Sequence, residues 1–269
     1  MTDRLGRADL HIHTLASDGT ASVGEILDAV AARDDLDVIA ITDHERIDAA
    51  IAARAMAADR GMATQVVVGE EVTTRGGHLL GLFLERPIPS LRSLRWTIAA
   101  IHDQGGLAIP AHPLVPYPLC AQGFVLRGLL GDSDPLYHPD GLETFNPTTL
   151  GRPWHRRVVA FADEFGLAHI GNSDAHTTDA IGTGWTTFPG RTADDLRRAV
   201  IARETHHHGS FHGTAGQLST LGRQVLKYGR DARDNVVGIA RRDGTRRDLG
   251  YPGGRRRSAR PDRSEDGTR

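Results

Sequence analysis

His11 and His13 are one residue apart, and Asp18 follows in Ser17-Asp18-Gly19. Residues i and i+2 of a strand point to the same face, so two imidazoles at this spacing converge as a single metal ion requires. Similar groups recur along the chain. Thr42-Asp43-His44 follows the apolar run 38–41, Glu70-Glu71 follows Val66 to Val68, and His78 opens a run with Leu79 and Leu80. His112 lies in Pro110-Ala111-His112-Pro113, and Asn172-Ser173-Asp174-Ala175-His176 completes the series. Any one of these, alone, reads as a polar loop residue or a core histidine satisfied by one hydrogen bond. The set does not: of 14 histidines, His11, His13, His44, His78, His112 and His176 all fall at or beside predicted strand ends, with Asp18, Glu71 and Asp174 among them. In barrels and open parallel sheets the carboxyl ends of the strands are where loops build the active site.

Imidazole and carboxylate donors without thiolate suit zinc, manganese or iron. Cys120 is the one cysteine, which excludes an internal disulfide, a cysteine-based zinc site and a redox pair. Adjacent divalent ions bring the pKa of a bound water near neutrality and clamp the oxygens of a phosphoryl group, so two or three such ions would equip the site for phosphoester hydrolysis. The same ligands would serve amide or lactone hydrolysis. An anionic substrate also needs cations, and Arg152, Arg156 and Arg157, after Asn146-Pro147, are the candidates. Arg152, in the loop, is preferred over Arg156. The alternative is that all three are exposed helix arginines.

The elements that must position these groups alternate. Strands are expected at 8–12, 37–41, 65–68, 78–84, 107–111, 142–145 and 168–171. Helices are expected after Ser22, with Glu25 completing a capping box, over 47–60 up to Gly61, over 91–104 up to Gly105-Gly106, over 154–165 up to Gly166, and after Thr192 to 202. Residues 113–140 are rich in Pro and Gly and read as irregular. His102, His155 and His169 sit in regular patterns and read as structural; His206 to His208 read as decorating an edge, and His138 and His212 as loop residues.

With 269 residues, 39% hydrophobic and 25% charged, the chain can bury one sizeable core, and one α/β domain fits. A net charge of −2 gives no overall bias toward nucleic acid or membrane. No run approaches the roughly 18 apolar residues of a membrane span, and no secretory leader is evident, so a cytoplasmic location is expected. Beyond about residue 205 Gly, Arg and Asp dominate. Residues 213–252, with Leu218, Leu221, Val225 and Leu226, are expected to pack back on the main domain, and the Arg-rich tail 253–269 to be disordered.

HIH with Asp18, TDH, GEE, GHLLG, PAHP and NSDAH, in that order over residues 8–205, resemble the metal motifs of the PHP (polymerase and histidinol phosphatase) superfamily. The resemblance implies a distorted (β/α)7 barrel over 1–212 and a cluster of up to three metals, variously zinc, manganese or iron. It implies that His11, His13, Glu71 and Asp174 hold one metal. Glu71 would bridge to a second held by His78 and His112, and Asp18, His44 and His176 would hold the third. Asp43 is then expected to orient His44 or handle a proton, and His176 to share in catalysis. Family members of this size resemble small phosphatases of nucleotides or phosphorylated metabolites, with 113–140, including Tyr117, Asp134 and Tyr137, as a substrate-selecting insert. Two rivals stand beside this: an exonuclease or phosphodiesterase on oligonucleotide ends, with Arg255 to Arg257 contacting phosphates, and a noncatalytic metal-stabilised binding module. The oligomeric state is not set by the sequence.

Overall fold

The computed structural model describes residues 5–117, 119–148 and 151–211, all within one compact unit, Met1–Gly229. The segments 213–252 and 253–269, and His212, lie outside the described residues. In chain order the elements are β1 (Gly6–Ile12), α1 (Val23–Arg33), β2 (Val38–Ile41), α2 (Asp48–Asp59), β3 (Gln65–Thr74), β4 (Gly77–Leu82), α3 (Leu94–Asp103) and β5 (Leu107–Pro110). After these come α4 (Gly123–Leu130), β6 (Gly141–Phe145), α5 (His155–Phe165), β7 (Ala168–Gly171), β8 (Gly184–Phe188), α6 (Ala193–Ala202) and β9 (His206–Gly209).

Local chemistry sets the helix ends where the sequence places them. The Ser22 hydroxyl accepts from the Glu25 amide while the Glu25 carboxylate accepts from the Ser22 amide, and Thr192 and Asp195 repeat the box at α6. Gly166 takes the left-handed conformation that ends α5. Where the sequence reads as irregular, α4 forms instead, burying Leu126 and Leu129 on one face.

Seven strands pair in the order β5-β4-β3-β2-β1-β8-β9, and β6 pairs with β7 separately. The β1–β2, β2–β3 and β6–β7 pairs are parallel; β3–β4, β4–β5, β1–β8 and β8–β9 are antiparallel. The larger sheet curls, and β6–β7 stands between its ends: the Asp140 carboxylate accepts from the Ala108 amide, and the Gly171 amide donates to the Thr186 hydroxyl. The expected (β/α)7 barrel is therefore met as a curled, mixed α/β architecture, with the β3–β4 hairpin and three further antiparallel pairs in place of an all-parallel barrel. One apolar cluster gathers strand residues such as Leu10, Ala40, Val67, Leu80, Ile109 and Ile170 with Leu196 and Val200 of α6; the other packs α1 to α5 on the sheet. Among the described residues no helix is long and apolar enough to cross a membrane.

The histidine run forms β9, and His207 does more than decorate its edge. Its Nδ1 lies 2.9 Å from the Thr144 hydroxyl and its ring stacks on Phe145. Burial, then the charges of His155, His169, His208 and His206, pushes its pKa down to about 4. Because the unfolded chain takes up this proton first, the stability His207 contributes is whole above pH 6.5 and is lost as pH falls toward 4. Discounted for partial exposure, the loss is roughly 1–2 kcal/mol. Thermal unfolding should therefore show a shallower acid decline in His207→Gln than in the wild type; equal slopes would contradict this.

Candidate metal centre

Strand polarity gathers the motifs at one end of the sheet. His13, His44, His112 and the 172–176 segment follow the carboxyl ends of β1, β2, β5 and β7. His78 opens β4, which runs antiparallel to β3, so its amino end lies at the same edge. A register shift between Asp9 and Ile12 changes the face of β1, so that Leu10 joins the inner apolar cluster while His11 and His13 reach the centre. The segment after β7 lies along β1 through mutual hydrogen bonds of His11, His13 and Ala175. The glutamates sit within β3, which continues to Thr74, and not after it. Alternation then separates them: Glu71 faces the centre, while Glu70 accepts from the Ile88 amide at 2.8 Å and is pushed up to about 7 by burial.

Glu71 is the hub. Its Oε1 lies 2.7 Å from His78 Nδ1 and 3.1 Å from His112 Nε2; its Oε2 lies 3.2, 3.3 and 3.4 Å from His11 Nε2, His13 Nε2 and His44 Nδ1. Asp174 Oδ1 stands 3.4 and 3.5 Å from the same nitrogens of His11 and His13. Asp18 faces His176 Nε2 at 3.0 Å, His13 Nδ1 at 3.4 Å and His44 Nε2 at 3.7 Å. Ligand atoms of His11, His13 and Asp174, of Glu71, His78 and His112, of His13, Asp18 and His176, and of His13, His44 and Glu71 each lie within 4.8 Å of one another. The first group holds three of the four residues the resemblance implies for one metal, with Glu71 beside them, and the second holds the three implied for another; His44 stands closer to Glu71, at 3.4 Å, than to Asp18, at 3.7 Å.

This donor set fits divalent ions. Among the described residues His11 Nε2, His13 Nε2 and His78 Nδ1 are buried without a hydrogen-bond partner, although carboxylate oxygens lie 2.7 to 3.5 Å away. Nitrogen and oxygen lone pairs that approach without hydrogen-bond geometry are what a shared third atom produces. Burial opposes charging every group here, but opposite charges prevail. The His11 charge holds Glu71 and Asp174 well below the usual carboxylate range, and a hydrogen bond from His176 lowers Asp18. Asp174 raises His11, contacts with Cys120 and Glu71 raise His112, and Asp174 and Glu71 raise His13 to about 10. Metal loading must expel imidazole protons. Titrating zinc into metal-free protein at pH 7.5 in weak buffer should release at least about one proton per ion, and affinity should fall about tenfold for each unit the pH is lowered, per proton displaced. Binding without proton release would contradict these couplings.

Supporting residues hold the loops. Asp43 accepts from the Thr14 amide and hydroxyl, each at 2.7 Å, and from the Ser17 hydroxyl at 2.5 Å. Expected to orient His44 or to handle a proton, Asp43 has both oxygens engaged in the turn that carries Asp18. Gly19 completes that turn, where a β-carbon would collide with the backbone of His13 and Thr14. Asp9, buried in β1, clamps the other loop through the Ser173 amide and hydroxyl and the Gly182 amide. Asp174 and His112 both hold positive φ, 52° and 32°, a strained backbone characteristic of functional sites. Glu143, Asn146 and Asn172 join the centre without being among the residues the sequence assigns to it. A lone glutamate within the otherwise apolar-facing strand Gly141–Phe145 is the signal the sequence carries.

Not every expected residue joins the centre. Arg152 and Arg156 are exposed, and the Arg152 guanidinium lies 5.7 Å from the Phe211 ring centroid. Neither pairs with a cluster residue among the described residues. A cavity of about 530 Å³ between α2, the start of β3 and α6 contains no cluster residue, and its size does not make it the site. A much smaller pocket joins His112 and Glu143 to Asn146 and His155.

The profile of the PHP-associated family matches residues 152–205. An uncharacterized protein of Methanocaldococcus jannaschii is 36% identical over 151 residues, covering 52% of this chain and 81% of that protein. A two-domain protein of Bacteroides vulgatus containing a predicted PHP-like metal-dependent phosphoesterase shares the fold, with a TM-score of 0.62 at 19% identity over 83% of this chain and 70% of that one. The chain belongs to the PHP superfamily. The motifs of that superfamily are the segments that converge on Glu71. A 5'-3' exoribonuclease of Haemophilus influenzae is also similar, 30% identical over 105 residues, which are 38% of this chain and 37% of that protein.

Proposed function

We infer that this PHP protein is a metal-dependent hydrolase of phosphomonoesters, acting on a nucleotide or a phosphorylated small metabolite. The observation that carries the reading is the convergence of His11, His13, His44, His78, His112 and His176 with Asp18, Glu71 and Asp174, three of whose buried nitrogens have no hydrogen-bond partner among the described residues. Two or three ions of manganese, zinc or iron fit such nitrogen and oxygen donors. Bound there, they supply Lewis-acid charge that acidifies water and offsets the charge of a phosphoryl group.

The chain's own residues supply position and protons. Glu71 and Asp174 fix the imidazoles of β1, and Asp43 holds the turn bearing Asp18. His176 donates Nδ1–H to the Asp174 carbonyl, 2.9 Å away, and stacks on His13, so its Nε2 faces the centre as a ligand or as the atom that hands a proton to the leaving oxygen. The insert 113–140 and the exposed Arg152 and Arg156 select and bind the anion. Arg152→Ala should raise KM about tenfold with kcat nearly unchanged, the pattern of lost ground-state binding; unchanged KM would remove Arg152 from the substrate site.

The exoribonuclease relative favours a second reading, hydrolysis at oligonucleotide ends. The two separate in one assay of metal-loaded protein against mononucleotides, nucleoside bisphosphates, sugar phosphates and an end-labelled oligonucleotide. The main reading predicts inorganic phosphate from the small esters; release of mononucleotides from the oligonucleotide alone would replace it with the second.

A further inference from the structure

Glu143 lies beneath the centre on β6, 1% exposed, and contacts four groups from four parts of the chain. Its Oε1 accepts from His11 Nδ1 at 2.9 Å and from the Asn172 side-chain amide at 2.9 Å. Its Oε2 accepts from the His112 backbone amide at 2.6 Å and from Asn146 Nδ2 at 3.1 Å. Asn146 also donates to Asp174 Oδ2 at 3.2 Å, leaving Oδ1 toward His11 and His13. Two donors on each oxygen use the acceptor capacity of a carboxylate, so Glu143 has no lone pair left for an ion. Its four partners, however, include or adjoin residues of two different metal positions, His11 and Asp174 in one and His112 in the other. The ladder between β5 and β6 is absent, so this carboxylate ties the end of β5 to β1 and β7 across that gap.

We propose that Glu143 is a positioning residue that fixes His11 as the Nδ1–H tautomer, with Nε2 turned to the centre, and thereby sets the metal affinity of both the His11 and the His112 positions without touching either ion. The inference rests on the metal-centre reading above but not on which ester is cleaved. An imidazole can present Nε2 to an ion only if its other nitrogen carries and donates the proton, and a buried carboxylate is the strongest partner for that N–H. Glutamine cannot replace it, because its NH2 group would face two donors whichever way it turned.

The test is metal titration of metal-free wild-type and Glu143→Gln protein by calorimetry, with histidine-ring ¹⁵N spectra of the zinc-loaded forms. In the wild type His11 should show an exchange-protected Nδ1–H and coordination through Nε2. In Glu143→Gln this resonance should be lost or shifted while that of His176 persists, and affinity should fall about 10- to 100-fold at two positions. A general loosening of the fold would move both resonances together. Unchanged affinity and an unchanged His11 signal in Glu143→Gln would overturn the proposal. Should that variant fail to fold, the wild type alone decides: coordination of His11 through Nδ1 would overturn the proposal. Both readouts are independent of phosphate release.

Discussion

Glu71→Gln is expected to leave the centre short of at least one metal and to lower phosphate release by about 10³-fold or more. One carboxylate stands among five imidazoles, with Oε1 toward His78 and His112 and Oε2 toward His11, His13 and His44. An amide keeps the shape but loses the charge, and only its oxygen remains to bind an ion. Several kcal/mol of Lewis-acid stabilisation disappear with a missing ion, and each 1.36 kcal/mol is tenfold in rate. The neighbouring Glu70→Gln provides the contrast, since Glu70 faces away from the centre toward the Ile88 amide. It should leave metal content unchanged. Metal analysis of the two purified variants, paired with their rates, checks the assignment; equal metal content in Glu71→Gln and wild type would contradict it.

The second large effect is on stability. Without metal the centre holds Glu71 and Asp174 amid His11, His13 and His112, charges drawn from water into the interior. Ions bind the folded arrangement, since the ligands come from six strands and their following loops, and the unfolded chain does not assemble them. At a free metal concentration 1,000 times Kd, one site adds about 4 kcal/mol. For a domain of this size each kcal/mol moves Tm by about 2–4 °C, so chelation should lower Tm by roughly 10 °C or more. His13→Ala should lose most of that metal-dependent increment while its metal-free Tm changes far less. A Tm indifferent to chelator in the wild type would show that the cluster holds itself together with protons alone.

How much of this was legible before the fold was known follows from the period of each signal. HIH, TDH, PAHP and NSDAH were visible because each follows a short apolar run, and the parallel arrangement turns "after a strand" into "at the centre". Capping by Ser22 and Thr192 was equally local and falls where expected. What could not be read depends on partners far away in sequence. The Gly76-Gly77 dipeptide marks a turn, but nothing in the sequence says that β3 and β4 pair across it as a hairpin, which is the reason His78 shares an edge with Glu71. The strands β8 and β9 hide in Gly184–Phe188, whose burial merely alternates, and in a histidine run that resembles surface. Glu143 shows in the sequence only as a lone carboxylate in a strand, which reads as solvent-facing until four donors from elsewhere in the chain surround it. Asp43 was visible but its partner was not, because the loop it clamps returns from 29 residues earlier.

The most direct test of the central claim is a metal reconstitution series. Metal-free protein is titrated separately with manganese, zinc and iron, and bound metal and phosphate release from a mononucleotide are measured on the same samples, with Asp174→Ala alongside. The account predicts that activity is absent at zero occupancy, rises only as two or three ions per chain are taken up, and stays near background in a folded Asp174→Ala at every metal level. Phosphate release by metal-free protein, or full activity in Asp174→Ala, would contradict it.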